Sequence, residues 1–319
     1  MKERLHCELY NAFSNDLKPL GYEPVGNPVV TCIGNCLPNE KVMVEISKEF
    51  GVPIICFLDC SDIDKREVTI RYFCGNGGEV NLCGHGTFGS TKAISERFHL
   101  QEDEVIQYTP HYEKYTYLKD ELIRGVVGKN NYSIIFPKLT KEKVVDELTL
   151  TLVSQSLGIQ KEYVDEMYMS SLDDLILVMN DIQTMRKIQP DFEKMIVLPE
   201  QLGLKELRTV MTTCPSDLDD YDFETRVFGP WIAADEDVAC GSANCSVAHY
   251  WSERFQKENM RMFYPYHAVT EQCVGGVQEL TILDEKYIKI TSNATFREEY
   301  EIEFDEETYE IHKLAVQRG

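Results

Sequence analysis

The sequence predicts an α+β protein of two similar lobes, each a curled mixed β-sheet, barrel-like around one central helix. Three observations carry this prediction. The first is a sixteen-residue pattern that occurs twice without a gap. Cys83 to Phe98 reads CGHGTFGSTKAISERF, and Cys240 to Phe255 reads CGSANCSVAHYWSERF, at an offset of 157 residues (240 − 83). Both copies open Cys-Gly, place a small residue fourth (Gly86, Ala243) and close Ser-Glu-Arg-Phe. A glutamate stands four residues ahead of each cysteine (Glu79, Glu236). A single repeat at half the chain length means two lobes, whereas short periods mean solenoids. The second observation is that strand-like segments flank each copy. The third is the length of 319 residues, which suits two domains of ordinary size.

The elements follow in order. Residues 4–12 alternate apolar and polar positions and read as an opening strand. Residues 13–25 are polar, carry two prolines and read as a loop. Gly26-Asn27-Pro28 is a turn before the strand VVTCI. The stretch LPNEKVMVEISKEFGV holds Val42, Ile46 and Phe50 at helical spacing and stops at Gly51. VPIICFL reads as a buried strand, EVTIRYF (67–73) as an alternating one. The glycine-rich CGNGGEVNL then leads into the first repeat helix. VIQYTP, KYTYLKDELIRGVV and YSIIFP follow as strands in hairpin order. KLTKEKVVDELTLTLVSQSLG begins with helical patterning, and DDLILVMN is a short buried strand. MIVLPEQLGLKELRTVMTTCP mixes helix and strand signals. DFETRVFGP enters the second repeat, and the chain closes as a meander of strands. The N-terminal lobe is expected over 1–131, joined by 305–319, and the C-terminal lobe over 132–304.

Charge and cysteine content exclude several functions. Lysine plus arginine total 32 against 54 acidic residues, a formal charge of −22. Nucleic acid and anionic membrane surfaces need clustered cations, so neither is an expected partner. No twenty-residue apolar run is present, and the opening MKERLHCELYNAF lacks a signal-peptide core, so a cytoplasmic location is expected. In that compartment the eleven cysteines are expected as thiols. Cys32/Cys36 and Cys56/Cys60 have four-residue spacing without a following histidine, so no metal is expected.

Each repeat reads as a helix entered through a cysteine and a glycine. Free backbone N–H groups and the positive end of the helix dipole lower the pKa of a thiol placed there. Gly84, Gly86 and Gly241 lack Cβ, so a ligand can approach the amides. Two such helix ends could hold one carboxylate, with a sulfur on each face of the adjacent carbon. One thiolate would then remove the α-proton while the other thiol returns one, with no cofactor required. Cys83 and Cys240 are the candidate acid and base. His85 follows Cys83 by two residues as a catalytic or substrate-contacting candidate. Asp237 is a helix cap or a substrate contact, and Ser242 and Ala243 lie at the second entry. Cys7, Cys32, Cys36, Cys56, Cys60, Cys214, Cys245, Cys273 and His249 are read as packing.

EVNLCGHGT (79–87), GNPVV (26–30) and RVFGPWIAADEDVACGSANCSVAHYW (226–251) together resemble the phenazine-biosynthesis PhzF-like family. The match runs in order over nearly the whole chain. The resemblance implies two lobes of the diaminopimelate-epimerase fold, a site in the cleft between them, an isomerase without cofactor, and often a homodimer. It places the family's histidine, aspartate and serine on His85, Asp237 and Ser242, and its cleft asparagine on Asn27. Two departures stand out. The family's catalytic glutamate falls on Ile54, which cannot move a proton, and Cys240 replaces a threonine. Cys83 and Ala239-Cys240-Gly241 are instead similar to the cysteine pair of diaminopimelate epimerase. That enzyme's Glu-Arg pair is absent, since Phe228-Gly229-Pro230-Trp231 stands there, and its asparagine falls on Cys74, so diaminopimelate is not the expected substrate.

The expected function is therefore a racemase or epimerase acting on a small carboxylate-bearing substrate through Cys83 and Cys240. The alternatives are a PhzF-type isomerase or tautomerase of a cyclic or dienyl acid using Asp237 or His85, and a non-catalytic member of the fold that binds a metabolite or protein.

Overall fold

The computed structural model describes residues 2–14, 25–110, 120–232, 234–266 and 274–316. The chain divides into two units. The first takes the described residues of 1–15, 25–137 and 289–319, the second those of 138–288. The lobe boundaries expected at 131/132 and 304/305 thus fall at 137/138 and 288/289. The reason is strand pairing: 132–137 and the long strand from 287 to 305 both belong to the first unit's sheet.

In the first unit the strands form a closed ring. β1 (Lys2–Ser14) pairs antiparallel with β2 (Asn27–Gly34), which runs parallel to β3 (Ile54–Asp59). The crossover between them is α1 (Glu40–Phe50). β3 pairs antiparallel with β4 (Glu67–Cys74), and β5 (Glu79–Val80) folds back on β4. α2 (Gly84–Arg97) then crosses over to β6 (Val105–Pro110), which lies parallel to β4. Antiparallel β7 (Ile123–Val127) and β8 (Tyr132–Pro137) continue the ring. β17 (Tyr287–Asp305) closes it by pairing with β8 and, from Lys2↔Asp305 to Ser14↔Asn293, with β1; β18 (Ile311–Ala315) adds to its other end.

The two helices differ because their surroundings differ. α1 lies outside the ring and shows the expected stripe: Val42, Met43 and Ile46 are buried against Val30, Ile55, Phe57 and Phe73. The Asn39 side chain caps its start, accepting from the Val42 amide at 3.0 Å, and Gly51 ends it at φ 61°. α2 is enclosed by β1, β2, β3, β7 and β8, and nearly every residue from Gly84 to Ser95 is buried. A helix inside a barrel needs slender side chains, which explains its run of Gly, Ser and Thr. A Cβ on Gly89 would lie 2.5 Å from Val29 Cγ1. The hydroxyls bond back to the helix, as Thr91 Oγ1 does to the Thr87 carbonyl at 2.8 Å, or out to the wall, as Thr87 Oγ1 does to Tyr72 at 2.6 Å.

The second unit repeats this order. It opens with β9 (Lys141–Lys143) and α3 (Glu147–Leu157), capped by Asp146. The helical reading of 138–158 thus begins too early, because Lys141–Lys143 pairs with the next strand. β10 (Val164–Ser170) and β11 (Asp174–Met179) are antiparallel. The short helices α4 (Ile182–Arg186), α5 (Phe192–Ile196) and α6 (Leu198–Gln201) lead to β12 (Thr209–Pro215), parallel to β11. β13 (Phe223–Gly229) pairs antiparallel with β12, and β14 (Ala234–Asp237) folds back on it. After α7 (Asn244–Phe255), β15 (Asn259–Tyr266) lies parallel to β13 and antiparallel to β16 (Val274–Ile282). Strand by strand, β10 to β16 reproduce the directions of β1 to β7. Trp251 anchors α7 to this sheet, stacked between Phe223 and Phe255 with its Nε1 donating to Thr213 Oγ1 at 2.8 Å. Helices α3 to α6 cover the other face through Leu157, Met185, Met195 and Leu198.

The loop expected over 13–25, the start of the segment 114–127 and Cys273 lie largely or wholly outside the described residues. Among the described residues no helix is long and apolar enough to cross a membrane. Gly89→Val is expected to lower unfolding free energy by about 1–3 kcal/mol through overpacking against Val29. Urea denaturation checks this, and an unchanged midpoint would contradict the enclosed helix.

Candidate active site

The structure gathers the sequence-derived candidates into two groups, one per unit. In the first, Cys83 is the N-cap of α2, and its Sγ accepts from the Gly86 amide at 3.4 Å. His85 Nδ1 lies 3.5 Å from that sulfur and 3.4 Å from Asn27 Nδ2. When unprotonated, Nδ1 has one in-plane lone pair, which accepts from either the Asn27 amide or the Cys83 S–H. All three side chains are buried. The wall beside them follows from strand alternation. Val29 touches the helix at Gly89, Cys56 at Gly86, and Tyr72 at Thr87. Asn27, Ile54 and Cys74 lie two residues along on the same faces of β2, β3 and β4. Ile54 is 3% exposed, and its position brings a hydrocarbon, with no proton to give, to the helix entry. Gly84 opens α2. The absent side chain of Gly86 makes room for Cys56 Sγ, 2.8 Å from where its Cβ would be, and for the Tyr72 ring. On that side Gly86 admits the barrel wall, where ligand access had been expected.

The second group lies in the other unit. Helix α7 begins at Asn244, so Cys240 is not at a helix's first turn as expected. Gly241, Ser242 and Ala243 form a turn between them, with the Asn244 amide bonded to the Gly241 carbonyl at 3.2 Å and Cys245 to Ser242 at 3.2 Å. The local arrangement around the sulfur is nonetheless the same. Ser242 Oγ lies 3.5 Å from Cys240 Sγ, and the Ala243 amide hydrogen-bonds it. In both units, then, a buried thiol meets a polar side chain two residues on and a backbone N–H three residues on. Tyr264 fixes the loop by donating to the Cys240 carbonyl. Asp237 ends β14 and accepts from the Ala239 amide at 3.1 Å; it caps a turn, and the helix-cap reading does not hold.

Electrostatics departs from expectation at Cys240. Burial pushes this thiol well above its ordinary value, and the Asp237 charge adds to the push. Arg208, the Ser242 hydroxyl and the Ala243 amide pull in the opposite direction without overcoming it. The helix-start argument assumed a solvated thiol, whereas Cys240 is 5% exposed. Cys56, Cys60, Cys214 and Cys245 are pushed up to about 12, mainly by burial, as fits packing residues.

The glutamates four residues ahead of each cysteine now have partners. Arg71 grips Glu79 through two bonds of 2.6 Å, and Arg226 grips Glu236 through bonds of 2.7 and 2.9 Å. Each arginine lies on the strand (β4, β13) on which the short strand bearing its glutamate (β5, β14) folds back, so each clamp fixes the approach to one sulfur. The sequence displayed the twin glutamates but not their partners. The Arg226 pair is fully buried, and Nη1 also donates to the Ile188 carbonyl at 2.8 Å. Sequence reasoning also missed Arg208 and Asp174. Arg208 Nη1 donates to Ser242 Oγ at 3.0 Å, while Asp174 holds the guanidinium by two 2.7 Å bonds. No local pattern marks these residues, because their partners lie 34 positions apart. Among the described residues no group of three or more His, Cys, Asp or Glu is arranged to hold a metal ion.

The chain belongs to the phenazine biosynthesis-like protein family, whose model matches residues 22–268. It is similar to an uncharacterized isomerase of Vibrio cholerae, at 25% identity over 293 residues, 92% of this chain and 89% of that protein. Among solved structures it resembles a PhzF-family phenazine biosynthesis protein of Enterococcus faecalis, with TM-score 0.71, 22% identity, and coverage of 94% of this chain and 99% of that one. It also shares the fold of a hydroxyproline epimerase of Agrobacterium vitis with bound trans-4-hydroxy-L-proline, with TM-score 0.55, 10% identity, and coverage of 99% and 93%.

The two clamps should differ in energy. Glu236→Gln strands a buried guanidinium, and a loss of about 3–5 kcal/mol is expected. Glu79→Gln, in a pair 12% and 19% exposed, is expected to lose about 1 kcal/mol. Chemical denaturation of both variants checks this; equal losses would contradict the assignment.

Proposed function

We propose that this protein is an isomerase that moves a proton at the carbon α to a carboxylate, with Cys83 and Cys240 as the acid–base pair. The observation that carries this reading is the duplicated sulfur environment: a buried thiol, a polar neighbour two residues on and an amide three residues on, once in each unit. Inversion at carbon needs two proton carriers of comparable chemistry, and an internal repeat supplies them. The naming of the Vibrio cholerae relative as an isomerase and the fold shared with a hydroxyproline epimerase support the class.

The roles need not be equal at rest. Cys83 has an imidazole nitrogen placed to accept its proton, which suits it to begin as base. Cys240, pushed up by burial, holds its proton and suits the acid role in that direction. The reverse reaction exchanges the roles. Backbone amides at 84–85 and 241–242, which the sulfurs do not use, bind the carboxylate and the developing enolate charge. Asn27, His85, Asp237 and Ser242 orient the substrate.

The push on Cys240 favours a second reading, in which Asp237 or His85 carries the proton in a PhzF-type shift on a cyclic or dienyl acid.

The test is a screen of amino acids and small hydroxy acids for deuterium uptake from solvent. Cys83→Ala and Cys240→Ala are expected to lower inversion by about 1000-fold, an order of magnitude consistent with loss of a proton carrier. Undiminished inversion in both variants would remove the thiol pair and leave the second reading.

A further inference from the structure

The strongest unexplained feature near the sulfurs is a chain of hydrogen bonds that ends at Cys240. It starts in the interior of the second unit. Asp174 is fully buried, and its carboxylate accepts from Thr209 Oγ1 at 2.7 Å and Ser170 Oγ at 3.0 Å. The same carboxylate holds Arg208 Nε and Nη2 at 2.7 Å each, which fixes the plane of the guanidinium. The remaining arm, Nη1, donates to Ser242 Oγ at 3.0 Å. The Arg208 amide is itself anchored to the Asp173 carbonyl at 2.7 Å. Arg208 is 15% exposed, so its position is set by protein groups on three sides.

The consequence lies at the hydroxyl. A serine hydroxyl has one proton, and a lone pair that accepts from a guanidinium directs that proton away from it. Cys240 Sγ lies 3.5 Å from the same oxygen and is placed to receive that proton. Other groups lie near the sulfur as well: Asp237 from β14 and Tyr264 from β15. Asp237 opposes a thiolate, and Tyr264 donates to the Cys240 carbonyl and leaves the sulfur alone. Of the charged side chains acting on this sulfur among the described residues, Arg208 is the one that favours its ionised form.

We infer that Arg208 is a positioning residue that, held by Asp174, orients Ser242 Oγ to donate to Cys240 and so sets that thiol's readiness to ionise. This rests on the proposed role of Cys240 but is read without substrate. Ser242 then has a defined task as the donor that greets the sulfur's negative charge. The Asp174–Arg208 pair takes no part in proton transfer and acts only through that hydroxyl.

The experiment follows site-resolved modification of the full-length protein by methyl methanethiosulfonate, a small uncharged thiol reagent, across the neutral to mildly alkaline pH range. Peptide mass spectrometry separates Cys240 from the exposed Cys36, which serves as internal reference. A thiol well below its pKa reacts in proportion to its thiolate fraction, so a tenfold weaker acid is modified about tenfold more slowly. Arg208→Met is expected to slow Cys240 by that factor at every pH without slowing Cys36, and Arg208→Lys to restore most of the rate. Ser242→Ala removes the hydroxyl while keeping the Asp174 pair, and is expected to act in the same direction if Arg208→Met folds poorly. A purely structural role has the opposite sign, because a loosened loop exposes the thiol and speeds modification. Unchanged or faster modification of Cys240 in both Arg208→Met and Ser242→Ala would overturn the inference. So would a wild-type Cys240 that stays inert while Cys36 reacts. The expected thiol response in a wild-type protein that inverts none of the screened acids would instead count against the proposed reaction alone.

Discussion

A helix enclosed by strands must satisfy the N–H groups of its first turn at the one end where no strand can reach them. In the first unit a sulfur takes that place: Cys83 caps α2 and receives the Gly86 amide. In the second unit the turn 241–243 precedes the helix, yet the Ala243 amide still meets the Cys240 sulfur. Each sulfur thus serves first as an acceptor for a backbone amide of its own loop. Their chemistry is set by what else reaches the same point.

What reaches it differs between the units. Cys83 meets an imidazole tied to Asn27, and Cys240 meets a hydroxyl tied to Arg208. Amide donation and desolvation compete at the Cys240 sulfur. At Cys240 desolvation dominates, since one backbone donor and one hydroxyl do not replace the hydration lost on burial. The paired arginine–glutamate clamps act on geometry. Arg71–Glu79 and Arg226–Glu236 each tie a cysteine loop to the strand before it. A buried pair such as Arg226–Glu236 adds little net stability over a hydrophobic pair, but it accepts only one register of the loop.

Much of this was legible in the sequence because it is local. Gly51 ends α1 where capping chemistry places it, and the 157-residue offset announces the duplicated entry. Alternation identified β1 and β4, and a continuous apolar run identified β3. The misses are of two kinds. Some are competitions between local signals: 141–143 pairs as a strand because an exposed edge was available, and α7 starts at Asn244 because Gly241 to Ala243 close a turn first. Others are long-range by nature. Asp174, Arg208 and Ser242 meet only when β11, β12 and the cysteine loop are assembled, and no spacing rule links 174, 208 and 242. The upward push on Cys240 has the same origin, since burial belongs to the assembled fold and not to the motif.

The pairing of β1 with β17 has a consequence for synthesis. Lys2 pairs with Asp305, so the first unit's ring cannot close until nearly the whole chain has left the ribosome. The second unit, by contrast, is continuous from 138 to 288 and has all its partners in hand earlier. Domains fold as units when their chain is available, and non-local pairings are the slow ones. The order of assembly is therefore the reverse of the order of sequence: the later half sets first, while β1 and its neighbours wait as open edges for the strand that seals them. During that interval the unpaired edges of β1 and its neighbours are where this chain is open to pairing with another.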